Sequence, residues 1–244
     1  MAKNLAHYFP NHKMRIELFF GAGGSFFYLP KPQYAILNDL DDDVYNLYMV
    51  VLRDSEGLKN EILRVPLSET LIKYWRSNRE NSEMMRAVRF IYLSNFTYMG
   101  KGDTLRLGLD NAKLTLIDNV DKTLLDLKTA KITNRDFRDV LPRISFSKGV
   151  NDKSKCFLYL DPIYLETEHY YNVPTWSKDD TVDCLEIVAT SGIRSAMSEF
   201  AHPFVLEEAR RRNLIVIPVK SRANIKNRQT EILITNYDSP NLFE

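Results

Sequence analysis

Cysteine is scarce in this chain, with Cys156 and Cys184 alone among 244 residues. Each sits inside an apolar run, so a disulfide framework is excluded and buried free thiols in a reducing compartment are expected. Four histidines are present, and no Cys/His spacing suited to a metal appears. Long hydrophobic runs are also missing. No uninterrupted apolar stretch approaches the ~20 residues of a membrane span, and the opening MAKNLAHYFPNHKMRIELFF lacks the pattern of a secretory leader. An excess of one charge is absent too: the formal net charge is +1. The overall balance therefore selects no acidic or basic partner, and the local distribution has to decide. Glycine is limited to nine residues, three of them within GAGG at 21–24. There is no repeat, low-complexity run or disordered linker.

What is present is an ordinary globular composition, 44% hydrophobic and 27% charged. The length suits one α/β domain with an insertion, or two small domains. RIELFF reads as a buried strand stopped by GAGG, with a short helix after the turn. YAILND reads as a second strand ending on Asp39. DDDVYNLYMVVLRD follows, with Val44, Leu47, Tyr48, Val51 and Leu52 at helical spacing behind an acidic start that suits a helix N-terminus. Strand, turn, strand, helix predicts a parallel sheet.

From about 56 to 130 the alternation is lost. Basic residues (Lys73, Arg76, Arg79, Arg86, Arg89, Lys101, Arg106) interleave there with Tyr74, Trp75, Tyr92, Phe96 and Tyr98. An inserted, mainly helical lobe over 56–130 is expected, with Tyr92 and Phe96 in its core. The flanking segments 1–55 and 131–244 form the main domain. Alternation resumes at KITNRDF. CFLYLD is a central strand, SKDDTVDCLEIVAT a helix, IRSAMSEF a strand and PFVLEEARRRN a helix. LIVIPVKSRANIKNRQTEILITNY gives two strands around a basic loop, a hairpin closing a mostly parallel sheet.

Three signals carry chemistry. Gly21 and Gly23 after the first strand permit a tight turn and close approach of a ligand, or serve a plain strand-to-helix turn. Asp39 at the next strand end suits ribose hydroxyls, while Asp41 to Asp43 suit a helix cap. The dehydrogenase fingerprint would need a third glycine where Phe26 stands. In CFLYLDPIYLETEHYY, Asp161 and the carbonyl of Pro162 are acceptors fixed at a strand end, and Tyr164 adds a flat face. Adenine's exocyclic amine is a poor nucleophile. An enzyme that alkylates it has to accept its protons and localise its lone pair, which such acceptors do. An Asp-Pro turn with no chemistry is the other reading of the same residues.

Together these motifs resemble the Dam-like DNA adenine-N6 methyltransferases, nearly end to end. Glu17-Leu18-Phe19-Phe20-Gly21-Ala22-Gly23 is similar to the family's E-P-F-x-G-x-G cofactor loop, with Leu18 for proline. Asn38-Asp39 is similar to its ribose-binding carboxylate motif, and Asp136-Phe137 to its D-F contact with the cofactor adenine. Asp161-Pro162-Ile163-Tyr164 resembles the catalytic D-P-P-Y, with Ile163 for the second proline. RFIYLSNFTYMG resembles the target-recognition segment and EILITNY the closing strand. The family's usual W-x-G-G-K-type opening segment, which grips the methionine end of the cofactor, has no counterpart in this sequence, which starts just past where it would lie, and Lys3 or Lys13 is the candidate to substitute for it in part.

The resemblance implies a Rossmann-like methyltransferase fold, with a mostly parallel sheet, a C-terminal antiparallel hairpin strand and an inserted target-recognition lobe. It implies S-adenosyl-L-methionine as cofactor, held by Phe19, Gly21, Gly23, Asp39, Asp136, Phe137 and Asp161. It implies catalysis by Asp161, Pro162 and Tyr164, with no metal, on an adenine flipped out of double-stranded DNA. Tyr170 or Tyr171 would close the pocket, and His169 would be a bystander. Tyr98, Met99, Lys101 and Arg106 would wedge into and read the duplex. Arg222, Lys226 and Arg228 would hold its backbone. A cytoplasmic setting on bacterial or phage DNA is expected, with no membrane role and a restriction endonuclease as a possible partner. Three alternatives stand beside this: a weak or inactive DNA-binding relative, a methyltransferase acting on RNA or protein, and a nicotinamide oxidoreductase.

Overall fold

The computed structural model describes residues 5, 7–100, 102, 104–108, 112–149, 152–167, 173–223 and 228–238, with the side chains of 99, 220–223 and 228–229 excepted. Two compact units are present: 1–40 with 133–244, and 41–132.

The sheet has strands β1 (Met14–Glu17), β2 (Tyr34–Asn38), β3 (Ala130–Thr133), β4 (Cys156–Leu160), β5 (Arg194–Phe200), β6 (Ile215–Ala223) and β7 (Arg228–Thr235), and all but β3, which runs across the boundary at 132/133, lie within the first unit. The order is β3-β2-β1-β4-β5-β7-β6. β1 pairs in parallel with β2 and β4, and β4 with β5. β7 runs antiparallel to both β5 and β6, so the closing hairpin is as expected. Pro218 lies on β6, an edge strand, beside a register irregularity between Pro218 and Lys220, both settings in which a sheet tolerates proline.

β4 shows why the sheet is central. All five residues of CFLYL are buried. Cys156, Leu158 and Leu160 join the larger core, with Met14 and Ile16 of β1 and Ile232 and Ile234 of β7. Cys184, Leu185 and Val188 of α6 (Lys178–Thr190) and Val205 and Ala209 of α7 (Pro203–Arg211) cover that face. Phe157 and Tyr159 point the other way, into a cluster with Leu5, Ala196, Ile217 and Leu233. A strand buried on both faces reads as a continuous apolar run, which is what CFLYL is. Cys156 and Cys184 are free and buried, as expected.

The second unit contains α2 (Asp42–Arg64), α3 (Glu69–Ser77), α4 (Glu83–Asn95) and α5 (Ala112–Leu127). It begins at Asp41 rather than at 56. The helix starting at DDDVYN does not end where its periodicity falters. Asp54 leaves helical geometry at φ −151°, its carboxylate accepts Gly57 N–H at 2.9 Å, and the helix continues. Val50, Val51, Leu58 and Ile62 then join Trp75, Val88, Tyr92, Phe96 and Val120 in one core. Tyr92 and Phe96 are buried as predicted, edge to face at 5.0 Å. Asp41 caps α2 through Asp43 N–H, and Asp43 pairs with Arg79 and Arg89. Among the described residues, no helix is long and apolar enough to cross a membrane.

Candidate active site

The strand order reverses at β1 and β4, and in open α/β sheets ligands bind beyond the carboxyl ends of strands at such a switch point. The Gly-rich turn follows β1 and Asp161 follows β4. These strands are direct neighbours, with Glu17 opposite Tyr159, and Leu18 N–H bonds Tyr159 O at 3.3 Å.

The turn itself is held from β2. Asp39 Oδ2 accepts Gly21 N–H at 2.6 Å, and Phe20 N–H bonds Asn38 O at 2.8 Å. Gly21 has φ +50° and Gly23 φ +65°, conformations that glycine adopts at little cost. They differ in surroundings. A Cβ on Gly23 would meet the Phe27 ring at 2.4 Å, whereas nothing lies within 4 Å of one on Gly21. Gly21 therefore presents open backbone, and Gly23 packs α1 (Gly24–Tyr28) onto the turn.

Asn38 is the staple of this edge, 1% exposed. Its amide donates to Leu18 O at 3.0 Å and Arg135 O at 2.9 Å, and its oxygen accepts from Thr133 Oγ1 at 2.8 Å and Arg135 N–H at 3.1 Å. All its hydrogen-bonding capacity is used to lock the ends of β1 and β2 to the segment that leads into Asp136. Asp136 accepts the N–H of Arg138, whose guanidinium also pairs with it at 3.2 Å. Phe137, 4% exposed, packs at 5.1 Å on Phe19 and 5.9 Å on Trp176. Phe19 and Trp176 are half-buried, so the three rings form an apolar wall with accessible edges. Trp176 was not foreseen, because it lies in an irregular stretch without periodicity.

Asp161 is half-buried and Pro162 buried. The Tyr164 hydroxyl lies 3.2 Å from both Asp161 Oδ1 and Glu231 Oε1, and its ring meets Phe200 edge-on at 4.7 Å. Burial raises the Tyr164 phenol well above its usual range, with Asp161 adding to the shift, so it stays a neutral donor. Glu199 accepts Leu165 N–H at 3.1 Å and Phe200 N–H at 2.7 Å. Glu17 accepts the Ser25 hydroxyl on both oxygens at 2.9 Å and lies 3.7 Å from the buried Arg15. Burial pushes Glu17 and Glu199 each up to about 7, Asp161 contributing to both. Three buried glutamates (17, 199 and 231) thus gather around Asp161; Glu17 and Glu231 stood in quoted motifs, and Glu199 did not.

The other expected residues divide. Tyr98 is 65% exposed at the start of a short 3-10 turn, and its N–H bonds Thr104 O at 2.9 Å. Thr97 bridges Leu105, Arg106 N–H bonds Phe96 O at 2.7 Å, and Gly100 and Gly102 take positive φ. The second unit thus displays a pinned loop with Tyr98 and Arg106 outward. Lys101, Lys226, His169, Tyr170 and Tyr171 lie outside the described residues, as do the side chains of Met99, Arg222 and Arg228.

The residues fit a nucleoside cofactor: a carboxylate for diol hydroxyls, open glycine backbone beside it, and an aromatic wall for a base. A switch-point crevice with these parts, and Asp161-Pro162 at the end of the adjacent strand, is the arrangement of a Rossmann-like nucleotide-binding fold. The model of the D12 class N6 adenine-specific DNA methyltransferases matches residues 1–232. The chain belongs to that family: it is an adenine-N6 DNA methyltransferase that uses S-adenosyl-L-methionine. It is 26% identical over 246 residues to the Type II methyltransferase M1.LlaDCHI of Lactococcus lactis subsp. cremoris, covering 91% of this chain and 85% of that one. SMU.1697c of Streptococcus mutans, solved with SAH, aligns over 96% of this chain and 94% of its own at 6% identity and TM-score 0.40, a score too low to bear on this fold.

Proposed function

We propose that Asp161 and the Pro162 carbonyl accept the two protons of a flipped adenine's N6 amine in DNA. The Gly21–Gly23 turn, Asp39, and the Phe19–Phe137 wall with Asp136 would hold the cofactor beside them. The supporting observation is the direct pairing of β1 with β4, because it makes the glycine turn and Asp161 neighbours at the switch point. S-adenosyl-L-methionine, when bound, supplies an electrophilic methyl group. Asp39 accepts ribose hydroxyls while its other bond fixes Gly21. Asp161 and Pro162 localise the amine lone pair and aim it. Tyr164 offers a ring face to the base, held by its hydroxyl and by Phe200. The amine proton leaves after transfer, so Asp161 acts through its acceptor geometry rather than as a strong base.

Tyr98, Met99, Lys101 and Arg106 of the second unit contact the duplex, Tyr98 and Met99 filling the gap left by the flipped base. Arg222, Lys226 and Arg228 contact phosphates. Likeness to a Type II methyltransferase supports a modification role beside a restriction endonuclease of the same specificity, on DNA in a bacterial cytoplasm.

Asp161→Ala tests the assignment. Transfer of tritiated methyl groups to DNA is expected to be lost while duplex binding persists. Full transfer by the variant would refute it.

A further inference from the structure

We infer that Glu199 is a positioning residue that clamps the catalytic loop Asp161–Leu165, doing from β5 what a second loop proline would do from within. The inference rests on the assignment of Asp161 and Pro162 above.

The loop leaves β4 with Pro162 fixed in φ by its ring, but Ile163 carries no such restriction. Something outside the loop has to fix its far end. Leu165 is buried, 6% exposed, and its N–H is accepted by Glu199 Oε2 at 3.1 Å. The other carboxylate oxygen accepts Phe200 N–H at 2.7 Å. Phe200 in turn meets the Tyr164 ring edge-on at 4.7 Å, with an interplanar angle of 84°. Tyr164 reaches back with its hydroxyl to Asp161 Oδ1 at 3.2 Å. One carboxylate therefore restrains the loop twice, at the Leu165 backbone and, through Phe200, at the ring that touches Asp161. Thr167 closes the turn behind, its hydroxyl donating to Tyr164 O at 2.6 Å.

The choice of residue supports the role. Glu199 is fully buried, where a carboxylate is costly to desolvate and an apolar side chain would serve the sheet better. Only a side chain with two acceptor oxygens satisfies both amides together. Glutamine keeps the shape and one acceptor, and turns an NH2 toward the second N–H.

The test uses Glu199→Gln, Ile163→Pro and the double variant, with three readouts. In Glu199→Gln, kcat for DNA methylation is expected to fall on the order of 10- to 100-fold, while calorimetric affinity for S-adenosyl-L-methionine stays within about twofold. Hydrogen exchange at the Leu165 amide is expected to accelerate. In the Ile163→Pro background the kcat penalty of Glu199→Gln is expected to shrink, because proline supplies the missing restraint. Wild-type kcat in Glu199→Gln would overturn the inference. So would unchanged exchange at Leu165, cofactor affinity falling as far as kcat, or an equal penalty in both backgrounds. If wild-type protein methylated no adenine, the assignment of Asp161 would fail, and Leu165 exchange would still report on the clamp.

Discussion

Raising the pH from 6 to 8 is expected to weaken the folded cofactor-free protein. Glu17 and Glu199 are both buried, and both titrate near 7 in the fold against 4.5 outside it. A carboxyl group whose folded pKa is raised adds stability that is complete below its unfolded pKa and is lost as pH rises through the folded one. Between pH 6 and 8 the two groups together withdraw at most about 3 kcal/mol. His12 opposes them. Burial lowers it from 6.5 to about 4, so its stabilisation is present above the unfolded pKa and lost as pH falls. That returns about 1 kcal/mol over the same window. The net loss is about 2 kcal/mol, or roughly 4–8 °C in Tm for a domain of this size. Urea melts at the two pH values measure it. Glu199→Gln, having no proton to lose there, should cut the net loss to about 0.5 kcal/mol. A flat profile, or stability rising with pH, would contradict the burial of these ionisable carboxyls. A Glu199→Gln profile identical to wild type would contradict the share given to Glu199.

The two turn glycines should fail differently. Gly23→Ala forces a Cβ to 2.4 Å from Phe27 at φ +65° and should lower Tm the more. Gly21→Ala meets open space and should cost about 1 kcal/mol of stability from φ alone, yet weaken cofactor affinity by calorimetry more per degree of Tm lost. Tyr92→Phe removes a fully buried hydroxyl that donates to Ile62 O at 3.0 Å and lies 2.7 Å from Val65 O. It should cost about 1–3 kcal/mol in urea melts. Tyr98→Ala, at a position 65% exposed, should leave Tm unchanged and weaken duplex binding, read by fluorescence anisotropy.

Much of this was readable from residue order. CFLYLD announces a strand buried on both faces because no polar residue interrupts it, and the carboxylate that ends it stands where switch-point chemistry occurs. Asp39 is legible for the same reason. The extent of α2 was not, because Asp54 and Gly57 look like a stop and act as a kink that tertiary packing carries the helix across. The glutamates were missed through context. Glu199 in RSAMSEF and Glu231 in TEILITNY look like ordinary polar strand residues, and only the sheet register brings them to the Asp161 loop. For Glu199, a charged residue near the end of an otherwise buried strand was the available signal. Trp176 carried none, since its partners Phe19 and Phe137 are far away in sequence.

The most direct measurement is modification-sensitive sequencing of plasmid DNA from a methylation-free host expressing either wild-type protein or Asp161→Ala. The account predicts N6-methyladenine at one recurring sequence with wild type and none with the variant. Methylation that persists with the variant, or a wild type that marks no adenine, would contradict it.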